Sequence, residues 1–330
     1  MAQSLTPQQQ EYMRKRAIDR AKYQVYEKEG SKVGILMLIQ QGIFQVGTIV
    51  VLAVILVIVG ILSGGLNADR FADSVKDAVA DPLYVYLSSD IMQLLAGICF
   101  IVFFVKNKDV IKNANSAFVR AKHKFLVTFQ CFMVILAVNL AVSGFGMLAQ
   151  LLSRNPWARQ GYLDNHGVLV FILMAVFPGI VEELIFRGVL FRYLRRYGFF
   201  FAAFVSSLIF GLVHMNFTQL IFAGTMGFLL CVVYEKTGHL WCSMLLHFLN
   251  NAYAVLVDQI PRDIFFYYAF LVLAFNAVLG LIFLFAFKLE SMRVGDKKPV
   301  IRALTATSMI IFLVLCLGIC FVTFLTTVIF

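Results

Sequence analysis

Hydrophobic positions fall into nine long runs, near 36–62, 83–105, 125–152, 167–190, 199–215, 218–234, 240–257, 264–287 and 303–328. A helix needs about 20 predominantly apolar residues to cross a bilayer. The pattern therefore predicts an all-α, polytopic transmembrane helical bundle of about nine spans. Residues 1–34 precede the first run as a polar, basic segment, read as a solvated or membrane-surface helix with partner binding as a second reading. The first run then acts as an uncleaved anchor. Residues 67–82, "NADRFADSVKDAVADP", form the longest outer loop and read as a short amphipathic helix.

Composition supports this picture and charge orients it. The chain is 61% hydrophobic and only 14% charged, where soluble domains carry about 25% charged residues. The net charge of +10 could point to nucleic acid, but its distribution follows topology. With the N-terminus in the cytoplasm, only Arg70, Lys76, Arg154, Arg159 and Arg262 of the 28 Lys and Arg fall outside. The basic charge thus reads as a topology signal that also attracts anionic lipid, with no nucleic-acid partner. The six cysteines lie in or beside apolar runs without metal-ligand spacing, and read as small buried hydrophobes. "GFGMLA", from Gly144, fits the letters of a dinucleotide fingerprint, but it sits inside a span with no strand before it.

Polar residues inside the runs concentrate between 166 and 257. Each charge held at mid-bilayer costs roughly 2.5–3.5 kcal/mol on insertion scales, so "FPGIVEELIFRGVLFRYLRR" needs a reason for Glu182, Glu183 and Arg187. Glu183 and Arg187 are four apart, share a helical face and can pair. Glu182 points about 100° away and is left to face a cavity, as a general base does. The alternative is that all three simply tie helices together. In "FGLVHM", Phe210 and His214 are four apart on the next span. Sixteen residues separate Glu182 from Gly198 and sixteen separate Gly198 from His214, which puts both at one depth in an antiparallel helix pair. In "LLHFLNN", His247 and Asn251 share a face and can donate hydrogen bonds to an oxyanion, or clasp two helices, while Asn250 is expected to face elsewhere. Asp90 and Asn139, also inside spans, read as structural hydrogen-bonding residues.

In this order on consecutive helices, E-E-x-x-x-R, F-x-x-x-H and H-x-x-x-N resemble the motifs of the CPBP family, the CAAX protease and bacteriocin-processing intramembrane glutamic endopeptidases. The resemblance covers about residues 166–257. It divides the chain into a basic cytoplasmic segment (1–34), variable transmembrane helices 1–3 (35–165), a catalytic helical core (166–257) and two C-terminal transmembrane helices (258–330). The resemblance implies a metal-independent hydrolase without a cofactor. In it Glu182 and His214 activate a water, His247 and Asn251 stabilise the oxyanion, and Glu183, Arg187 and Phe210 support the site. The substrate is then a peptide or protein presented at the cytoplasmic leaflet. Family members process prenylated C-termini in eukaryotes and, in bacteria, bacteriocin or signal peptides. The expected home is the plasma membrane of a bacterium. H-E-x-x-H, G-x-S-x-G and G-x-G-D signatures are absent. Three alternatives stay open: zinc held by the glutamate and two histidines, a non-catalytic scaffold or immunity protein retaining the fold, and a proton-coupled transporter.

Overall fold

A computed structural model describes residues 6–64, 67–151, 166–258 and 298–329. The predicted span 264–287 lies outside the described residues, as do Arg154, Arg159, Arg262, Lys288, Arg293 and Lys297. All regular structure among the described residues is helical. Helices α1 (Pro7–Gly64), α3 (Pro82–Lys106), α6 (Gly167–Tyr197) and α8 (Phe217–Thr237) are long and apolar enough to cross a membrane. Further apolar helices are α5 (Lys124–Leu151), α7 (Phe199–Leu212), α9 (Leu240–Asp258) and α11 (Thr307–Ile329). Three short helices, α2 (Ala68–Ala80), α4 (Lys108–Asn113) and α10 (Lys298–Leu304), complete the set. The chain is a multi-pass integral membrane protein.

Local chemistry sets the boundaries. Asn67 and Asp81 cap α2 and α3 by accepting hydrogen bonds from the Arg70 and Leu83 backbone N–H groups at 3.1 and 2.9 Å, and Pro82 opens α3. The amphipathic helix expected in the outer loop is α2. Gly198 (φ 111°) separates α6 from α7, and Gly238 (φ 75°) ends α8 in the left-handed conformation that glycine adopts at low cost.

Two boundaries differ from the sequence reading. The N-terminal helix and the first span are one continuous helix of 58 residues, about 87 Å long at 1.5 Å per residue. Its N-terminal half is held by a buried carboxylate: Glu29, 4% exposed, accepts from the Tyr193 hydroxyl at 2.5 Å, Arg196 Nη2 at 2.9 Å and Lys32 Nζ at 2.9 Å. Gly34 meets the start of α11, where a Cβ would fall 2.5 Å from the Met309 backbone nitrogen. The run 199–215 also stops being helical at Leu212. Residues 213–216 turn the chain through Met215 at φ 51°, so His214 sits in a turn and not on a helical face. A 14-residue α7 measures about 21 Å, short of a hydrocarbon core of about 30 Å.

The core lies where α7 and α8 cross, with α5 on the far side of α8 and α6 packed against α9. Backbones approach closely at Gly211, where an added Cβ would lie 2.5 Å from the Leu220 carbonyl oxygen and 3.0 Å from the Gly224 nitrogen. Gly211→Ala is therefore expected to lower stability by about 1–3 kcal/mol, the usual cost of overpacking. Gly42→Ala, with nothing within 4 Å of the new Cβ, should leave it unchanged or slightly raised. Thermal unfolding of both variants in one detergent checks this; equal melting points contradict the crossing.

Candidate active site

The site begins with Pro178. Proline has no N–H, so the Met174 carbonyl four residues earlier loses its usual helical donor. The helix widens into a π-helical stretch over Ile172–Val176, and Asn251 Nδ2 donates to the freed Met174 oxygen at 3.2 Å. Six residues after that stretch stands Glu182, and a second π-helical stretch, Leu184–Phe191, follows the two glutamates. Gly179 lets α9 approach: a Cβ there would lie 3.1 Å from the Phe248 backbone nitrogen.

Within this crossing Glu183 is 0% exposed and Arg187 1%. Arg187 Nη1 donates to Glu183 Oε1 at 2.6 Å, and the same oxygen accepts from His247 Nδ1 at 2.9 Å. The guanidinium lies over the Phe210 ring, 4.4 Å from its centroid, where the face of the π-system is negative. Phe210 also packs edge-on against His214 and His247, at 5.1 and 5.8 Å between ring centres. This one ring thus touches three of the site's polar side chains. Satisfaction is incomplete, since Glu183 Oε2 and Arg187 Nε and Nη2 have no hydrogen-bond partner among the described residues.

Glu182 is placed differently. Its side chain is 19% exposed, and its Oε2 lies 3.7 Å from His247 Nε2. Glu182, His214, His247 and Asn251 all line one cavity of about 420 Å³. The His214 ring is fixed because α7 ends early. The His214 backbone nitrogen bonds to Gly211, which leaves the Phe210 carbonyl to accept from His214 Nδ1 at 2.8 Å. A carbonyl can only accept, so Nδ1 carries the proton and Nε2 remains an acceptor. His247 is held in the same way: Nδ1–H donates to Glu183, which turns Nε2 toward Glu182.

Three placements depart from the sequence reading or escape it. Asn250 was expected to face elsewhere, yet it is 2% exposed and lines the same cavity. The cavity is wide enough to take two successive residues of α9. Asn250 accepts from Asn139 at 3.0 Å and donates to Asn251 at 3.3 Å, so it braces the motif asparagine against α5. Asn139 thereby makes a structural hydrogen bond, as read from the sequence. Asp90 does not: its Oδ2 is buried without a hydrogen-bond partner among the described residues, within electrostatic reach of Glu182. The sequence reading also passed over Glu235. It receives both Arg195 Nε and Nη2, at 2.9 and 2.7 Å, and the Val119 backbone N–H at 2.9 Å, tying the loop before α5 to the end of α8. An acidic residue in the last turn of an apolar helix was the available signal.

No group of three or more His, Cys, Asp or Glu side chains among the described residues is arranged to hold a metal ion. Arg187 is expected to be far more sensitive to loss of Glu183 than the fold is to loss of Glu182. Removing one partner of a buried pair typically costs about 3–5 kcal/mol. Glu183→Gln should lower the melting point of purified protein by many degrees and Glu182→Gln only slightly. Equal losses contradict the division between the two glutamates.

A family model matches this same part of the chain. Residues 164–253 match the family described as Type II CAAX prenyl endopeptidase Rce1-like. Over 94 residues the chain is 34% identical to "Putative membrane peptidase YdiL" of Bacillus subtilis (strain 168). That match takes in 28% of this chain and 38% of the relative, so the chain spans well under half the length of the curated relative it matches. No solved structure matches. Between residues 164 and 253, where its polar motifs converge on one cavity, the chain is similar to the Rce1-like family of CAAX prenyl endopeptidases.

Proposed function

We propose that this protein is an intramembrane endopeptidase of the glutamic type, which cuts a membrane-associated peptide with a water activated by Glu182 and His214. The observation that carries the reading is the shared cavity: Glu182 from α6, His214 from the turn after α7, and His247 and Asn251 from α9 all line it. The adjacent carboxylate, Glu183, is committed to Arg187 and His247. The family description and the relative's name agree with a peptidase.

A water held between the Glu182 carboxylate and His214 Nε2 gives a proton to Glu182 as its oxygen bonds to the peptide carbonyl carbon. The carbonyl oxygen gains charge and takes hydrogen bonds from donors about 2.7–3.1 Å away. Asn251 supplies one: Nδ2 has two hydrogens, and Met174 uses one of them. His247 Nε2 supplies the other when the ring carries both protons. Glu182 then passes its proton to the amide nitrogen, the C–N bond breaks, and an acid and an amine leave. No metal or cofactor is required in this scheme. The substrate enters from the cytoplasmic leaflet, and the bacterial plasma membrane is the proposed location.

Peptide profiling of membranes carrying wild-type or Glu182→Gln protein should reveal fragments that depend on Glu182. Loss of a positioned general base costs about 10²–10⁴ in rate. Cleavage by purified protein should survive extended treatment with a strong chelator. An identical peptide profile from the two membranes sinks the peptidase reading; chelator inactivation reversed by added zinc replaces the glutamic mechanism with a metal-dependent one.

A further inference from the structure

A second cavity, of about 210 Å³, shares only Glu182, His214 and Gln219 with the first, so the reacting pair stands in the wall between the two. Its lining is unusual for a membrane bundle. Gln40, Gln41 and Gln45 from α1, Gln93 from α3 and Gln219 from α8 surround one space. Gln40 and Gln41 are 4% and 8% exposed. Each carboxamide brings two N–H donors and an oxygen with two lone pairs, and the protein satisfies few of them. Gln41 donates to Gln40 at 3.0 Å, and Gln45 points its amide at Gln41 and at Met215 Sδ, 3.4 and 3.3 Å away. Among the described residues, the Gln40 amino group and the side chains of Gln93 and Gln219 make no hydrogen bond.

Polar groups in a water-poor interior are costly unless hydrogen-bonded, and a polar cavity roomy enough for water meets that need with water. At about 30 Å³ per molecule in the liquid, this cavity takes several. Hydrolysis consumes one water for each bond cut. A peptide seated in the larger cavity, against His247 and Asn251, displaces water from that side. The glutamine-lined space stays open to Glu182 and His214 from the other.

We propose that the glutamine-lined cavity is the water store of the enzyme, holding hydrogen-bonded water against Glu182 and His214 while substrate fills the larger cavity. This rests on the peptidase reading. A water leaving the store bonds through its oxygen to the carbonyl carbon, gives one proton to Glu182, and is replaced from the same pool. Gln40, Gln41, Gln45 and Gln93 are positioning residues in this scheme, since they act on the water and not on the peptide.

Hydration can be read without any substrate. X-ray pulses convert bound water to hydroxyl radicals, which oxidise adjacent side chains in the full-length protein. Phe44, which lines the cavity, and Met215, which touches Gln45, should be labelled in wild-type protein. Gln40→Leu/Gln41→Leu should lose that labelling several-fold, while the exposed Met13 is labelled as before. With a cleaved peptide in hand, Gln41→Leu should lower kcat by up to about a hundredfold, the cost of a reactant misplaced by about 1 Å, with KM nearly unchanged, and Gln41→Asn should restore part of it. Should the double variant not fold, Gln93→Leu, on another helix, carries the same readouts. A cavity that is dry in wild-type protein, or leucine variants with unchanged kcat, overturns the proposal. So does a raised KM at constant kcat, which makes the cavity a peptide subsite. A dry cavity in a protein that cleaves overturns this proposal alone. A wet cavity without Glu182-dependent cleavage overturns it together with the peptidase reading.

Discussion

The pairing of Glu183 with Arg187, both almost wholly out of reach of solvent, is the contact that positions everything else in the site. Taking two charges out of water costs several kcal/mol per ion even after relaxation, and the pair repays that only with good geometry and further hydrogen bonds. The protein supplies the geometry and one further hydrogen bond, from His247, while Glu183 Oε2 and Arg187 Nε and Nη2 have no partner among the described residues. Glu183 Oε1 is shared between Arg187 and His247, and the guanidinium rests on Phe210. That arrangement draws α6, α7 and α9 together and fixes the His247 ring. It also consumes Glu183, while the preceding carboxylate, Glu182, lines the cavity.

Backbone irregularities deliver these side chains. Pro178 removes one helical hydrogen bond, and the released Met174 carbonyl becomes the anchor for Asn251. The end of α7 at Leu212 frees the Phe210 carbonyl, which becomes the anchor for His214. In both cases a main-chain oxygen deprived of its own N–H orients a side chain of the site. The first span takes part as well, since α1 carries both the Glu29 clamp on Tyr193 and Arg196 and the glutamines beside Glu182.

Much of this was legible in the sequence, for definable reasons. Helical period relates Glu183 to Arg187 directly, and four-residue spacing placed the polar residues of α9 on one side. Residue counting around Gly198 put Glu182 and His214 together, and they do line one cavity, although the count assumed straight helices. It could not foresee two π-helical stretches, with more residues per turn, or a helix that stops two residues before His214. "LIQQGIFQVG" was read as part of an anchor, because its amides carry no charge and the apolar residues that follow keep the run hydrophobic. Their clustering shows only when α1, α3 and α8 are packed. Asn250 was misplaced because angular separation on a helix says nothing about how wide a cavity is.

The central claim, that a peptide carbonyl is held between Glu182 with His214 on one side and His247 with Asn251 on the other, is tested most directly by an experimental structure of the Glu182→Gln protein with a bound substrate peptide. The scissile carbonyl oxygen should lie within hydrogen-bond distance, about 2.7–3.1 Å, of Asn251 Nδ2 or His247 Nε2. A water should bridge residue 182 and His214 Nε2 beside the carbonyl carbon. A peptide bound outside the cavity, or seated with its scissile bond away from all four side chains, would contradict the account.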